Sequence, residues 1–163
     1  MFMCCQAYYH QLKQTKMTLH FQDYVGGPNA TAVIVTGMPN RAWGFTSFGT
    51  IFVTDDPITK DPNKDSPEIA RGQGVYVTSS LDGSNAQVMF SIVFTNEECK
   101  GSTLEIQGTS VQLAKIRELA VVGGTGKFRF ARGYATFETV HLEALKPSVF
   151  YSVIRCNVTV EHY

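Results

Sequence analysis

The sequence predicts an all-β fold, a single domain of strands closed as a sandwich or a barrel. Three observations carry this. Apolar and polar residues alternate with a period near two along most of the chain. Turn signals recur at short, regular spacing, and no stretch of about twelve residues shows the apolar stripe of a helix. Gly72, Gly74 and Gly133 stand inside strand patterns, which suits the sharp coiling of barrel corners. At 163 residues the chain is long enough for one domain with a substantial core.

The elements follow in order. KMTLHFQDYV (16–25) reads as the first strand, ended by the breaker Gly26-Gly27-Pro28-Asn29. ATAVIVT (30–36) is an apolar strand. TSFGTIFVTDDP (46–57) is another, stopped by Asp55-Asp56-Pro57. ITKDPNKDSPE (58–68) is polar with two prolines, hence a surface loop. ARGQGVYVTS (70–79) leads through the turn LDGSN to AQVMFSIVFT (86–95), with Val88, Phe90, Ile92 and Phe94 on one face. GSTLEIQG (101–108) alternates cleanly. KIRELAVVG (115–123) enters a glycine-rich turn and KFRFARGYATFETV (127–140) leaves it. SVFYSVIRCNVTVEHY (148–163) closes the chain. The total is about eight or nine strands.

The run Gly123-Gly124-Thr125-Gly126-Lys127 has the look of a phosphate cradle, and its spacing excludes one. A P-loop needs a glycine where Val121 stands and Ser or Thr where Phe128 stands. A dinucleotide fingerprint needs a third glycine at Arg129 and a helix after it. The expected structure is a tight turn between antiparallel strands, with glycine supplying positive φ.

Lys plus Arg and Asp plus Glu number 14 each, so there is no electrostatic footprint for nucleic acid or an anionic membrane surface. No apolar run approaches the roughly 20 residues of a membrane-spanning helix. Residues 1–16 read as an N-terminal extension, unstructured or the remnant of a leader, ahead of a domain over 17–163. Their apolar part stops at Gln6, short of the roughly 7 to 15 apolar residues of a secretory leader. Cys4, Cys5, Cys99 and Cys156 lack zinc spacing; either a bridge from Cys4 or Cys5 to Cys156 or free thiols fits them. Asn29 and Asn157 each head an N-glycosylation sequon.

His10, His20, His141 and His162 are scattered without metal-ligand spacing, and no G-x-S-x-G elbow, haem or flavin signal appears. The expectation is therefore no metal, no cofactor and no oxidative centre. What remains is a set of polar residues on apolar strands. Asp23 shares a face with Leu19 and Phe21. Tyr76 lies between Val75 and Val77, Arg117 follows Ile116, and Thr139 shares a face with Ala135 and Phe137. Singly, each has an ordinary reading as turn acceptor, core residue or surface pair. Together, inward polar groups in an apolar barrel make a small-molecule site.

LHFQDYVGGPNAT, FGTIFVTDDPIT, ARGQGVY, FTNEECKGSTLEIQG, RELAVVGGTGKFRFARGYATFET and the ending NVTVEHY together resemble the plant dirigent proteins, over about residues 17–163. The resemblance implies an eight-stranded antiparallel β-barrel of the allene-oxide-cyclase-like, calycin-like kind. It also implies a homotrimer secreted to the apoplast. Dirigent proteins bind phenolic radicals or quinone methides, the radicals being made by a separate laccase or peroxidase, and fix the handedness of coupling. Some relatives are lyases that close a ring through a quinone methide, as pterocarpan synthases do. By this resemblance Asp23 and Arg117 are the catalytic candidates, with Tyr76, Ser110, Phe137 and Thr139 binding substrate. Gln22 replaces the histidine that the family pattern places before Asp23. Ser110 stands where lignan-forming members carry an aspartate, and a serine is no general acid near neutral pH. The expected function is thus stereochemical steering of phenolic coupling, with a cyclase or lyase using Asp23 as its acid as the alternative.

Overall fold

The computed structural model describes residues 11–163, and strands dominate them. In chain order they are β1 (Lys13–Val25), β2 (Ala32–Thr36), β3 (Ile51–Thr59), β4 (Glu68–Thr78) and β5 (Asn85–Phe94). Next come β6 (Thr103–Val111), β7 (Arg117–Thr125), β8 (Arg132–Lys146) and β9 (Val149–His162). They form a closed barrel in which β9 returns to β1. β1 also pairs directly with β3, through His20–Thr59 and Phe21–Ile58. Eight strands therefore close the antiparallel wall. β2 is a short ninth strand that touches β1 at one parallel pair, Val25–Ala32, and fills the gap where β1 and β3 part.

The two-residue period decides which side chains enter the barrel. Cross-strand partners share a face, so the register carries the inner face around the wall. Phe21 pairs with Ile154, Phe137 with Cys156, Leu119 with Ala135, Ile106 with Phe90, and Gly72 with Ile92. Phe21, Phe90 and Phe137 meet edge-on in the middle, their ring centres 5.6 to 6.0 Å apart. Each such contact adds about 0.5–1.5 kcal/mol to the burial itself. One end is sealed by Phe94, Phe128 and His162. The interior strand glycines follow from packing rather than from turning. A Cβ on Gly72 would lie 2.5 Å from the Phe21 ring, and one on Gly133 would lie 2.0 Å from the Thr159 carbonyl oxygen.

Several elements differ from the sequence expectation. Asp55-Asp56-Pro57 does not stop a strand; β3 continues to Thr59. The Asp55 N–H points to the Thr31 carbonyl on the β1–β2 side. Two residues on, the N–H that Pro57 lacks falls on that same side, where β1 and β3 are still apart, so the ladder loses nothing. The glycine-rich turn forms as expected, but β8 starts only at Arg132. Gly126–Phe128 make one 3-10 turn that drives Phe128 into the core, and Phe130 is exposed with φ of 62°. Of the three turn glycines only Gly126 has positive φ; Gly124 is needed because a Cβ there would lie 2.5 Å from the Phe128 carbonyl oxygen. Pairing in β1 begins at Lys13, ahead of residue 17. Cys156 is a free thiol with no exposure on the inner wall, and burial pushes its pKa up. Cys99 is free as well, while Cys4, Cys5 and His10 lie outside the described residues.

Candidate functional site

Polar groups enter the barrel at the end opposite Phe128. Asp23 occupies the inner face of β1, one pleat beyond Phe21. Carrying the β1–β3 register on by that pleat brings Asp56 of β3 opposite it. The two carboxyls interact electrostatically. Burial of Asp23, then the charge of Asp56, push its pKa up to about 7, against a smaller pull from the Ser152 hydroxyl at 3.2 Å. Its other oxygen, Oδ1, is buried with no hydrogen-bond partner. Buried carboxylate oxygens are normally satisfied. Charged or protonated, that oxygen has no partner among the described residues, and a ligand group could supply one.

Asp56 is saturated where Asp23 is not. Thr31 Oγ1 donates to Oδ1 at 2.5 Å and Thr54 Oγ1 donates to Oδ2 at 2.7 Å. Burial raises the Asp56 pKa and both hydroxyls oppose the rise. Tyr76, on β4, stacks on Phe52 of β3 with ring centres 4.4 Å apart. Burial, then the charges of Asp23 and Asp56, raise its pKa and keep the phenol neutral. Phe45, from the loop before β3, lies across these rings at 5.8 and 5.6 Å and closes over the mouth. Its carbonyl is held by the Thr78 hydroxyl.

Arg117 sits on β7, on the far wall. Its Nη2 donates to Thr139 Oγ1 at 3.1 Å, and burial alone lowers its pKa. No charge interaction links it to Asp23, so the carboxyl is not held down by a neighbouring cation. Arg117 pairs across strands with Phe137, which forms the floor between the two walls. Ser110 shares the inner face of β6, opposite Ala86. Of the residues picked from sequence, Asp23 and Tyr76 therefore fall in one cluster and Arg117, Phe137 and Thr139 in another. Asp56, Thr31, Thr54, Phe52 and Phe45 were not picked. The period-two run Phe52-Thr54-Asp56-Ile58 was the available signal for Asp56, hidden by reading Asp-Asp-Pro as a breaker.

A family model described as Dirigent-like protein matches residues 14–161. The chain belongs to the dirigent family. It is 37% identical to dirigent protein 1 of Arabidopsis thaliana over 145 residues, covering 89% of this chain and 80% of that one. It is 33% identical to pterocarpan synthase 1 of Glycyrrhiza echinata over 156 residues, covering 95% and 81%. Among solved structures, the pterocarpan synthase dirigent protein GePTS1 superimposes with a TM-score of 0.82 at 32% identity, over 96% of this chain and 89% of that one. PsPTS1, described in the same words, gives 0.80 at 33%, over 93% and 96%. A pyocyanin demethylase at 14% identity and a TM-score of 0.53 shares the fold.

Proposed function

We propose that this dirigent protein closes a ring on a phenolic alcohol through a quinone methide, with Asp23 moving the proton. The observation that supports this reading is the buried Asp23–Asp56 pair, in which one Asp23 oxygen has no hydrogen-bond partner. A carboxyl that holds its proton near pH 7 is suited to general acid work. Asp56 supplies the second carboxylate that Ser110 does not.

In the first step, Asp23 gives its proton to a benzylic-type hydroxyl as the C–O bond breaks and water leaves. The phenol on the same ring loses its proton to water at the mouth, and its electron pair completes the neutral quinone methide. Arg117 and Thr139 hold the phenol oxygen as charge builds there. In the second step, another hydroxyl of the substrate adds to the methide carbon. Its proton returns to Asp23, and the phenolate recovers one from solvent. The net change is loss of one water, with no oxidant. Tyr76, backed by the buried Phe52, and Phe137 supply flat apolar surface for the rings, and holding the reactants in one geometry is worth several kcal/mol.

A second reading, stereochemical steering of phenolic radical coupling in lignan-type biosynthesis, is favoured by the aromatic mouth and by the likeness to dirigent protein 1. It requires a separate laccase or peroxidase. On either reading we take the protein to be an apoplastic homotrimer, glycosylated at Asn29 and Asn157, which are both exposed. The deciding experiment offers isoflavanol-type alcohols without oxidant and, separately, one-electron-oxidised monolignols, with products read by chiral chromatography. Cyclised product without oxidant is expected. Enantiomeric excess confined to the oxidant-fed reaction would replace the first reading by the second.

A further inference from the structure

Where β1 and β3 separate, one residue bridges them. The Thr31 N–H donates to the Tyr24 carbonyl at 2.8 Å, and the Thr31 carbonyl accepts from the Asp55 N–H at 2.8 Å. Its hydroxyl accepts from the Tyr24 N–H at 3.0 Å and donates to Asp56 Oδ1 at 2.5 Å. With its proton committed to Asp56 and a lone pair committed to Tyr24, that hydroxyl has a fixed orientation. Asp56 thus receives an aimed donor on Oδ1, and Thr54 provides another on Oδ2. Asp23 receives one longer bond and keeps one oxygen bare.

Two like-charged carboxyls in one buried site do not both ionise easily, and the less solvated one takes the proton. We propose that Thr31 is a positioning residue that makes Asp56 the ionised member of the pair and leaves the transferable proton on Asp23. The proposal rests on the acid role of Asp23 given above. Other groups acting on Asp56 are Asp55 on its own strand and Arg71 on β4, which pair with each other at 2.9 Å on the outer face. Tyr76 stays neutral and adds no charge. Arg117 is absent from the interactions of both carboxyls. The largest effects favouring the charged form of Asp56 are the two threonine hydroxyls, Thr31 first, with Arg71 a smaller one.

Thr31 is also the third residue of the sequon headed by Asn29. Removing its hydroxyl would abolish a glycan as well as a hydrogen bond, so the two must be separated. The test is a carbon-13 titration of aspartate side-chain carboxyls in the free protein, assigned with Asp23→Asn and Asp56→Asn; it needs no substrate. Thr31→Val is expected to raise the Asp56 midpoint by about one pH unit while Asp23 moves much less. Thr31→Ser, which keeps the hydroxyl, is expected to restore the wild-type titration. Asn29→Gln, which removes the sequon alone, is expected to leave it unchanged. Thr54→Val provides an independent second arm and is expected to move Asp56 in the same direction. An Asp56 midpoint unmoved in Thr31→Val overturns the proposal, whatever Thr54→Val does. So does equal movement of both carboxyls, which would mark a collapsed loop. If ring closure occurs, the acid limb of its pH profile should follow Asp56 in Thr31→Val and the alkaline limb should stay. If no ring closure occurs at all, the function proposed above fails while the titration still decides the role of Thr31.

Discussion

At the scale of single residues, Asp23 carries the largest consequences. Its carboxyl titrates near 7 in the folded chain against 3.8 when exposed, because burial and Asp56 disfavour its charge. A raised carboxyl pKa stabilises the fold below the unfolded value, and that contribution is lost as pH rises through the folded one. Stability should therefore fall between about pH 4 and pH 7, and Asp23→Asn should remove much of the fall, by a few kcal/mol at most. Urea unfolding at pH 5 and pH 8 for both proteins reads this; parallel losses in the two would sink it. In catalysis, Asp23→Asn should cut turnover by about 10² or more and leave binding within about tenfold. Under the steering reading the same change would weaken only stereocontrol. Ser110→Asp should add little, since Asp56 already provides the second carboxylate; a large gain would show that Asp56 is not in use. Asp23, Tyr76, Arg117 and Thr139 were legible as inward polar residues on apolar strands. Asp56 was not, because local turn chemistry and strand period gave opposite answers for Asp-Asp-Pro. The missing neighbour on one side of Pro57 is a tertiary fact that no short window contains.

At the scale of elements, alternation located nearly every strand, and its errors fall where backbone geometry overrides it. Lys127-Phe128-Arg129-Phe130 alternates like a strand. Yet the 3-10 turn buries Phe128 and turns Phe130 out through a positive φ. Packing of Phe128 against Phe94 and His162 outweighs the pattern. The same logic makes Gly133 a sharp probe of the wall. It sits where β8 and β9 approach so closely that a Cβ would lie 2.0 Å from the Thr159 carbonyl oxygen and 2.9 Å from the Val160 Cα. Neither contact is the end of a flexible side chain, so the strands must part. Gly133→Ala should cost more than about 2 kcal/mol in denaturant unfolding. Gly101→Ala meets no atom within 4 Å and bears only the strain of its positive φ, and should cost about 1 kcal/mol. Equal costs for the two would refute close approach as the reason for Gly133.

At the scale of the whole molecule, the barrel wall leaves one strand edge without a partner among the described residues. β7 pairs with β8 only as far as Phe137, whereas β8 and β9 continue together to Lys146 and Val149. β9 stays paired with β1 on its other side as far as Phe150, so what lies open beyond Phe137 is one edge of β8, and an open edge offers its N–H and C=O groups to another chain. The side chains around it are not those of a solvated edge. Leu142 is 66% exposed, Leu145 46% and Phe150 41%. Apolar groups gathered beside an open strand edge mark an interaction surface, and a closed symmetric oligomer satisfies it without leaving a free edge. The expected state is a homotrimer, giving a light-scattering mass about three times the 18.0 kDa of one chain. Leu142→Glu combined with Leu145→Glu should reduce that mass to a single chain. The strand signal in circular dichroism should persist, since neither residue belongs to the buried core cluster. A wild-type mass near one chain at micromolar concentration would remove the trimer. A double variant that stays trimeric would place the contact elsewhere on the barrel wall.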